Sequence, residues 1–426
     1  MSVRKLYPMY KWISDLFPFH RSLVSKENLK TLNYLKKINH NLKIKYFNSG
    51  KKVFDWVIPD EWVISEAYFL DKNKKKYCNF KNNNLHILQY SAPINKTLSK
   101  EELLKNLYSI PEQPNAIPYV TSFYKKNWGF CIQDKIKKKL PSGKYKVLIK
   151  SNFKKGKMYF GEIFKKGKLK KEVFFSTYIC HPSMANNELS GPALNIAISK
   201  YLNKNYNKSN FSYRFAFIPE TIGSISYIHK NKNKMKKNII AGFNCSCVGD
   251  NGFYSHTSSR VENSLADRAL KASLIGKKIK KYSFLERGSD ERQYCSPGID
   301  LPVCGFSRSR FGSYKEYHTS LDNLDFVSQK GLTNSYIVLK NIIDAFEFGL
   351  YPKTKYLCEP KLDKRGLYNF VSFKKNYGTK IVKDYMDILA YSDGKISIFD
   401  IAIKLNKNLY KVVQSLKTLK EKGLII

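Results

Sequence analysis

The chain of 426 residues has no apolar run long enough to span a bilayer, so a membrane-spanning segment is excluded. Residues 1–8 (Met-Ser-Val-Arg-Lys-Leu-Tyr-Pro) show no extended apolar core followed by a small-residue cleavage site, and no signal peptide is expected. The eight cysteines are scattered, and Cys245-Ser-Cys247 is too tight for an ordinary pair, which argues against a disulfide framework. Reduced thiols in a cytoplasmic protein are the expectation. Solenoid-type repeats are missing. Acidic residues are scarce, 34 against 76 Lys plus Arg, which leaves a net charge of +42. Such an excess attracts polyanions. Yet runs such as Asn231-Lys-Asn-Lys-Met-Lys-Lys-Asn238 lie in loops, hold few Arg and lack interleaved aromatics. They read as a solvated surface, and nucleic acid is the less favoured partner.

What is present is a folding chain. Hydrophobic residues make up 42% and aromatics 14%, which separates it from disordered chains of similar charge. Its length allows two or three domains. Residues 24–43 pattern as a basic amphipathic helix. From there to about residue 165 the apolar period is mostly short, and residues 86–90, 145–149 and 158–163 read as strands, with one short helix at 100–107. Strands at 173–179, 212–218, 239–248 and 301–306 then alternate with helical patterns at 190–202, from Gly223, at 263–275 and at 331–348. That alternation implies an α/β fold with a mixed, mostly parallel sheet flanked by helices. The last segment shows three short helices and a terminal Leu-Ile-Ile strand, the pattern of a winged helix. The expected domains are an α/β domain at 1–55 and 166–375, an inserted mainly β subdomain at 56–165, and a winged helix at 376–426.

Four polar clusters fall where strands of the α/β domain end. Tyr178-Ile-Cys-His-Pro-Ser-Met-Ala-Asn-Asn-Glu-Leu-Ser-Gly191 delivers His181 and then Asn186, Asn187 and Glu188 ahead of a helix. Pro219-Glu-Thr-Ile-Gly223 places Glu220 just past a strand. Gly288-Ser-Asp-Glu-Arg-Gln-Tyr-Cys295 holds Asp290, Glu291 and Arg292, and Glu316-Tyr-His-Thr-Ser-Leu-Asp322 holds Tyr317 and His318. In open α/β sheets the carboxyl ends of strands are where chemistry is assembled. Imidazoles and carboxylates for a metal, plus a free carboxylate as base, are what metal-assisted hydrolysis needs.

The order of these clusters resembles that in the zinc aminopeptidases and glutaminyl cyclases. Pro111-Glu-Gln-Pro-Asn-Ala-Ile-Pro-Tyr119, Thr177-Tyr-Ile-Cys-His-Pro182 and Gly288 to Cys295 are similar to a narrower group of bacterial aminopeptidase-like proteins. Those proteins carry an inserted β domain and a C-terminal winged helix, and their genes often lie among those for surface-polysaccharide assembly. The resemblance runs from about Phe54 to Ile426. It implies a zinc-aminopeptidase-like fold, with His181 and His318 as zinc ligands and Glu220 as general base. Asp290 matches the Asp that orients substrate and ligands, and Glu291 replaces that loop's usual His. Asn187 stands where an Asp bridges two metals, Thr221 where a ligating Glu is expected, and Ser246 roughly where a further ligating Asp would be. One zinc ion held by His181, His318 and Glu188 is therefore the expectation, with Glu220 and Asp290 as catalytic residues. Asn187, Glu291, Arg292 and Tyr317 are the expected substrate contacts, and Asp322 is expected to cap or orient.

The implied function is hydrolysis of a peptide or amide bond in a small molecule, linked to surface-polysaccharide biosynthesis. Two alternatives stay open: a degenerate member that binds without turnover, and a DNA-binding regulator that uses the winged helix. A homo-oligomer is also open.

Overall fold

The structure is a computed structural model that describes residues 7–367 and 378–426. The expected boundary at 375/376 lies outside the described residues, as do residues 1–6.

Alternation of large apolar side chains builds an eight-stranded mixed sheet. Its spatial order is Lys43–Asn48, Lys157–Lys165, Ser212–Ile218, Glu172–Tyr178, Ile239–Cys245, Val303–Ser307, Tyr254–Thr257 and Ile279–Tyr282. The four central strands, Ser212–Ile218 to Val303–Ser307, run parallel; Lys157–Lys165 and Tyr254–Thr257 join them antiparallel on the two sides, and Ile279–Tyr282 runs parallel to Tyr254–Thr257. Every residue of Glu172–Tyr178 is buried, as a strand covered on both faces requires. Successive residues feed opposite cores, as the period of two demands: Phe175 joins the cluster under helix Ser190–Asn205, while Phe174 joins the one under helix Ile222–Asn238. Phe175 stacks on Phe215 with ring centroids 4.8 Å apart, and a buried ring of this size contributes about 1.5–3 kcal/mol relative to exposure.

The strand Lys157–Lys165 corrects the expected domain boundary. It is hydrogen-bonded between Lys43–Asn48 and Ser212–Ile218 in the main sheet, whereas the reading to residue 165 assigned it to the insertion. Strand period is the same in either sheet, so periodicity does not report the partner. Residues 86–90 form no strand either. A 3₁₀ turn, Asn84–His86, is followed by isolated bridges at Ile87 and Gln89.

The insertion contributes an antiparallel sheet in the order Lys76–Tyr77, Glu61–Leu70, Lys144–Lys154 and Ile94–Ser99. The C-terminal helices Gly378–Ala390, Ile398–Lys404 and Leu409–Glu421 form the winged helix. Its terminal strand is reduced to a bridge between Thr354 and Ile425. This unit does not hang free. Ile398, Phe399 and Ile401 belong to the same buried cluster as the α/β domain, Phe399 meets Phe346 edge-on, and Arg268 pairs with Asp400 at 3.0 Å.

Candidate active site

Parallel strands end on one edge of the sheet, and three of them deliver the central side chains. The strand Glu172–Tyr178 runs into His181, Ser212–Ile218 into Glu220, and Ile239–Cys245 into Cys247 and Asp250. After His181 the chain forms one π-helical turn, Ala185–Leu189, before helix Ser190–Asn205. Such turns are rare and concentrate at functional sites. Asp322 holds this turn in place. Its carboxylate accepts the backbone N–H of Asn186 at 2.6 Å and of Asn187 at 2.9 Å, which agrees with an orienting residue. Burial pushes the Asp322 carboxyl up to about 6, against those two bonds.

The turn sets Glu188 against His181. Nδ1 of His181 lies 2.8 Å from Oε2 of Glu188, and both side chains are buried. With Nδ1 engaged there, Nε2 of His181 faces Glu220, whose Oε2 is 3.6 Å away. Burial alone would lower the His181 pKa, but the Glu188 charge and hydrogen bond outweigh it and raise it. His318 comes from the other side, its ring centroid 5.4 Å from that of His181. Nε2 of His318 is buried and has no hydrogen-bond partner. Burial, then the neighbouring His181, lower its pKa to about 3, so the ring is neutral and able to act as a ligand.

Further unpaired polar atoms surround the pair. Oδ1 of Asn187, Oε1 of Glu188 and Oδ2 of Asp290 are buried without partners. Buried polar atoms without protein partners, gathered next to two imidazoles, suit a bound ion or ligand. Burial raises the Glu220 carboxyl, opposed by His181 and Arg292 and aided by Glu188 and Glu291. Asp290 is raised by burial and then by Glu220. Its Oδ1 accepts the backbone N–H of Thr221 and the Ser224 hydroxyl, each at 2.8 Å. A cation would relieve this crowd of carboxylates.

The backbone carries strain at the same place. Ser183, Thr221, Cys247 and His318 all have positive φ, at +44°, +62°, +52° and +55°. For a β-branched Thr this is a true outlier, and such conformations gather at functional sites. The Asp290 bond to the Thr221 N–H and the Arg292 bond to its hydroxyl, at 2.7 Å, hold that turn.

The other expected site residues divide. Arg292 flanks Glu220, and a buried Nε on it is unpaired. Tyr317 stacks on His318 with centroids 3.9 Å apart. Glu291 turns away from the cleft, accepting the N–H groups of Gly288 and Ser289 and the amide of Asn244. The Asn187 amide donates to the Tyr178 hydroxyl at 3.1 Å. One site residue was missed altogether. Tyr119, from the inserted subdomain, places its ring 5.1 Å from His181 and 5.0 Å from His318. Its N–H donates to the His318 carbonyl at 2.8 Å, and Pro118 bridges to Thr319. The Pro-rich motif that ends at Tyr119 was visible, but nothing in its spacing tied it to a loop two hundred residues away.

Two clusters of metal-capable side chains occur among the described residues. His256, Asp267 and Cys304 are wholly buried, and Asp267 is saturated by the Ser259 and Ser264 hydroxyls and by His256. That cluster is a structural pair in the core. The other, Cys180, His181 and Glu188, lies on the Nδ1 side of His181. On the opposite side Glu220 Oε2 lies 3.6 Å from His181 Nε2 and the His318 ring 5.4 Å from that of His181, a looser grouping than the two clusters, with Asn187 Oδ1 and His318 Nε2 unpaired. Two imidazoles and a carboxylate are the residue types that a zinc ion takes.

Fold and cleft together define an α/β protein with an aminopeptidase-like fold, an inserted β subdomain and a C-terminal winged helix. The chain belongs to the family described as "Domain of unknown function (DUF4910)", whose model matches residues 10–348. A winged helix-turn-helix family matches residues 350–426. A Clostridium acetobutylicum protein, provisionally named as a polysaccharide biosynthesis protein with an aminopeptidase-like domain, is 40% identical over 403 residues, covering 93% of this chain and 91% of the relative. A crystal structure of a protein from Clostridium acetobutylicum, provisionally named a peptidase, superposes with a TM-score of 0.89 at 37% identity, covering 98% of this chain and 96% of that one. A zinc aminopeptidase from Bacillus subtilis shares the fold, with a TM-score of 0.58 at 14% identity over 79% of this chain and 93% of that one.

Proposed function

We propose that the chain is a zinc-dependent hydrolase that cleaves a peptide or amide bond in a small substrate, as a step in surface-polysaccharide biosynthesis. One observation carries this reading. Nε2 of His318 is buried without a partner, opposite a His181 whose other nitrogen is already committed to Glu188. A pair of imidazoles so arranged has no structural use for its free nitrogens and suits a metal. His181 and His318 would hold one zinc ion, Glu220 beside them would stay free as the base, and Glu188 would fix the His181 ring from behind. Zinc, when bound there, supplies Lewis acidity that eases attack on a carbonyl.

The protein's own groups do the rest. Glu220, its pKa raised by burial, takes a proton from the attacking water and returns it to the leaving nitrogen. Asp290 positions the Thr221 turn and, through it, Glu220. Arg292 offers an unpaired donor to a substrate carboxylate. Tyr119 and Tyr317 wall the cleft and exclude solvent. The names of the Clostridium relatives support both the peptidase chemistry and the polysaccharide context.

A binding protein without turnover is the second reading. Asn187, Thr221 and Ser246, where anionic ligands are expected, favour it. The DNA-regulator reading has less support, because the third winged helix and its cap offer only Asn408 and Gln414 as base readers. Metal analysis of the purified protein and of His181→Ala and His318→Ala tests the proposal. About one equivalent of zinc is expected, lost in both variants. A wild-type protein that takes up no zinc, or variants that keep it, would remove the metal from this site.

A further inference from the structure

A second pocket, of about 500 Å³, opens at the edge of the main sheet next to the strand Ile279–Tyr282. No role in the cleft described above uses it. Lys278, just before the edge strand, and Lys280 within it both line the pocket. Their ammonium groups lie 5.9 and 5.6 Å from the ring of Phe253, which is half exposed. Ser309 and Ser313 add hydroxyls to the lining.

Exposed lysines alone would mean little on a chain of net charge +42. Arg308 is different. It lines the same pocket, is only 5% exposed, and packs its guanidinium 4.4 Å over the ring of Tyr254. One of its nitrogens donates to the Gly252 carbonyl at 2.6 Å, while Nε and Nη1 are buried without a partner. No carboxylate pairs with it among the described residues. The nearby acid, Asp250, is consumed by donors from Gly252, Ser309 and Asn186. A buried guanidinium left without an anion is expensive, and its fork matches the oxygens of a phosphate.

We propose that this pocket binds a phosphate-bearing small molecule, with Arg308 as the anchor and Lys278 and Lys280 closing on the charge. The site stands apart from the imidazole pair and does not depend on hydrolysis there. Asp250 connects the two places, since it holds both Ser309 at the pocket wall and Asn186 in the turn that carries Glu188.

Titration of the full-length protein with inorganic pyrophosphate, followed calorimetrically at about 0.15 M salt, tests this; that ionic strength screens diffuse surface attraction. One saturable site is expected. The double variant Lys278→Gln/Lys280→Gln changes two exposed residues and should leave the fold intact. It should bind about tenfold more weakly or worse, the range for losing charged hydrogen bonds. Arg308→Met, checked for folding by circular dichroism, should abolish saturation. A control double variant at the exposed and remote Lys170 and Lys171, each to Gln, should bind like the wild type. Equal weakening in control and test variants, or no saturable binding by the wild type, would overturn the proposal.

Discussion

Glu188 stands 2.8 Å behind Nδ1 of His181, on the side of the ring away from Glu220. A carboxylate in that position fixes which ring nitrogen faces the cleft and makes it a better donor to a cation. Glu188→Gln preserves the shape and removes the charge. It should weaken zinc affinity by about 10–100-fold, as losses of such supporting carboxylates do. Competition against a chromogenic chelator measures this, and an unchanged affinity would mean that Glu188 acts independently of His181.

Glu220 is assigned the proton, and one substitution tests both that duty and the rival one of metal ligand. Glu220→Gln should keep the fold and reduce turnover by about two to four orders of magnitude. Zinc analysis of the same preparation reports whether metal is lost with activity. Near-normal turnover of a verified substrate would exclude Glu220 from both duties.

Asn187 presents a buried, unpaired Oδ1, while its amide donates to the Tyr178 hydroxyl. Asn187→Asp adds an anion at the position where the sequence resemblance implies a metal-bridging Asp, and the Tyr178 hydroxyl can turn to donate to it. Zinc affinity or stoichiometry should rise. If titration shows neither, residue 187 faces something other than the metal.

Far from the cleft, Glu162 bears on acid stability. Burial opposes its charge, but Lys45, Tyr227 and Arg214 outweigh burial and lower its pKa to about 2. An unfolded Glu titrates near about 4.3. The stabilisation is therefore complete above about pH 4.3 and disappears as pH falls towards 2, where both states hold the proton. A shift of this size corresponds to about 3 kcal/mol. Denaturant midpoints of wild type and Glu162→Gln, compared between about pH 6 and 3, should converge as pH falls. Parallel curves would show that the Glu162 charge is not what acid removes.

Much of this was legible in the sequence because strand ends and helix starts announce themselves. The strand before His181, the Pro219 turn and the winged-helix pattern all rest on local periodicity, and the structure shows each of them. Pairing is not local. Lys157–Lys165 has the alternation of any strand, and only its neighbours Lys43–Asn48 and Ser212–Ile218 assign it to the main sheet. The same holds for Glu188. Its place next to His181 was visible, but the π-helical turn that swings it to Nδ1 was not. Tyr119 lay beyond local reasoning altogether, since its meaning depends on a contact with His318.

That contact has a consequence for how the protein can be taken apart. The N–H of Tyr119 is bonded to the His318 carbonyl, Pro118 bridges to Thr319, and Ser320 and Ile117 exchange two more bonds. The insertion is thus stitched by its main chain to the loop that presents one of the two imidazoles. It is not a detachable lid, and excising it to obtain a minimal catalytic core would also release His318 from its positive-φ perch. Exchange of insertions between homologues meets the same obstacle unless the residue 317–322 loop travels with them.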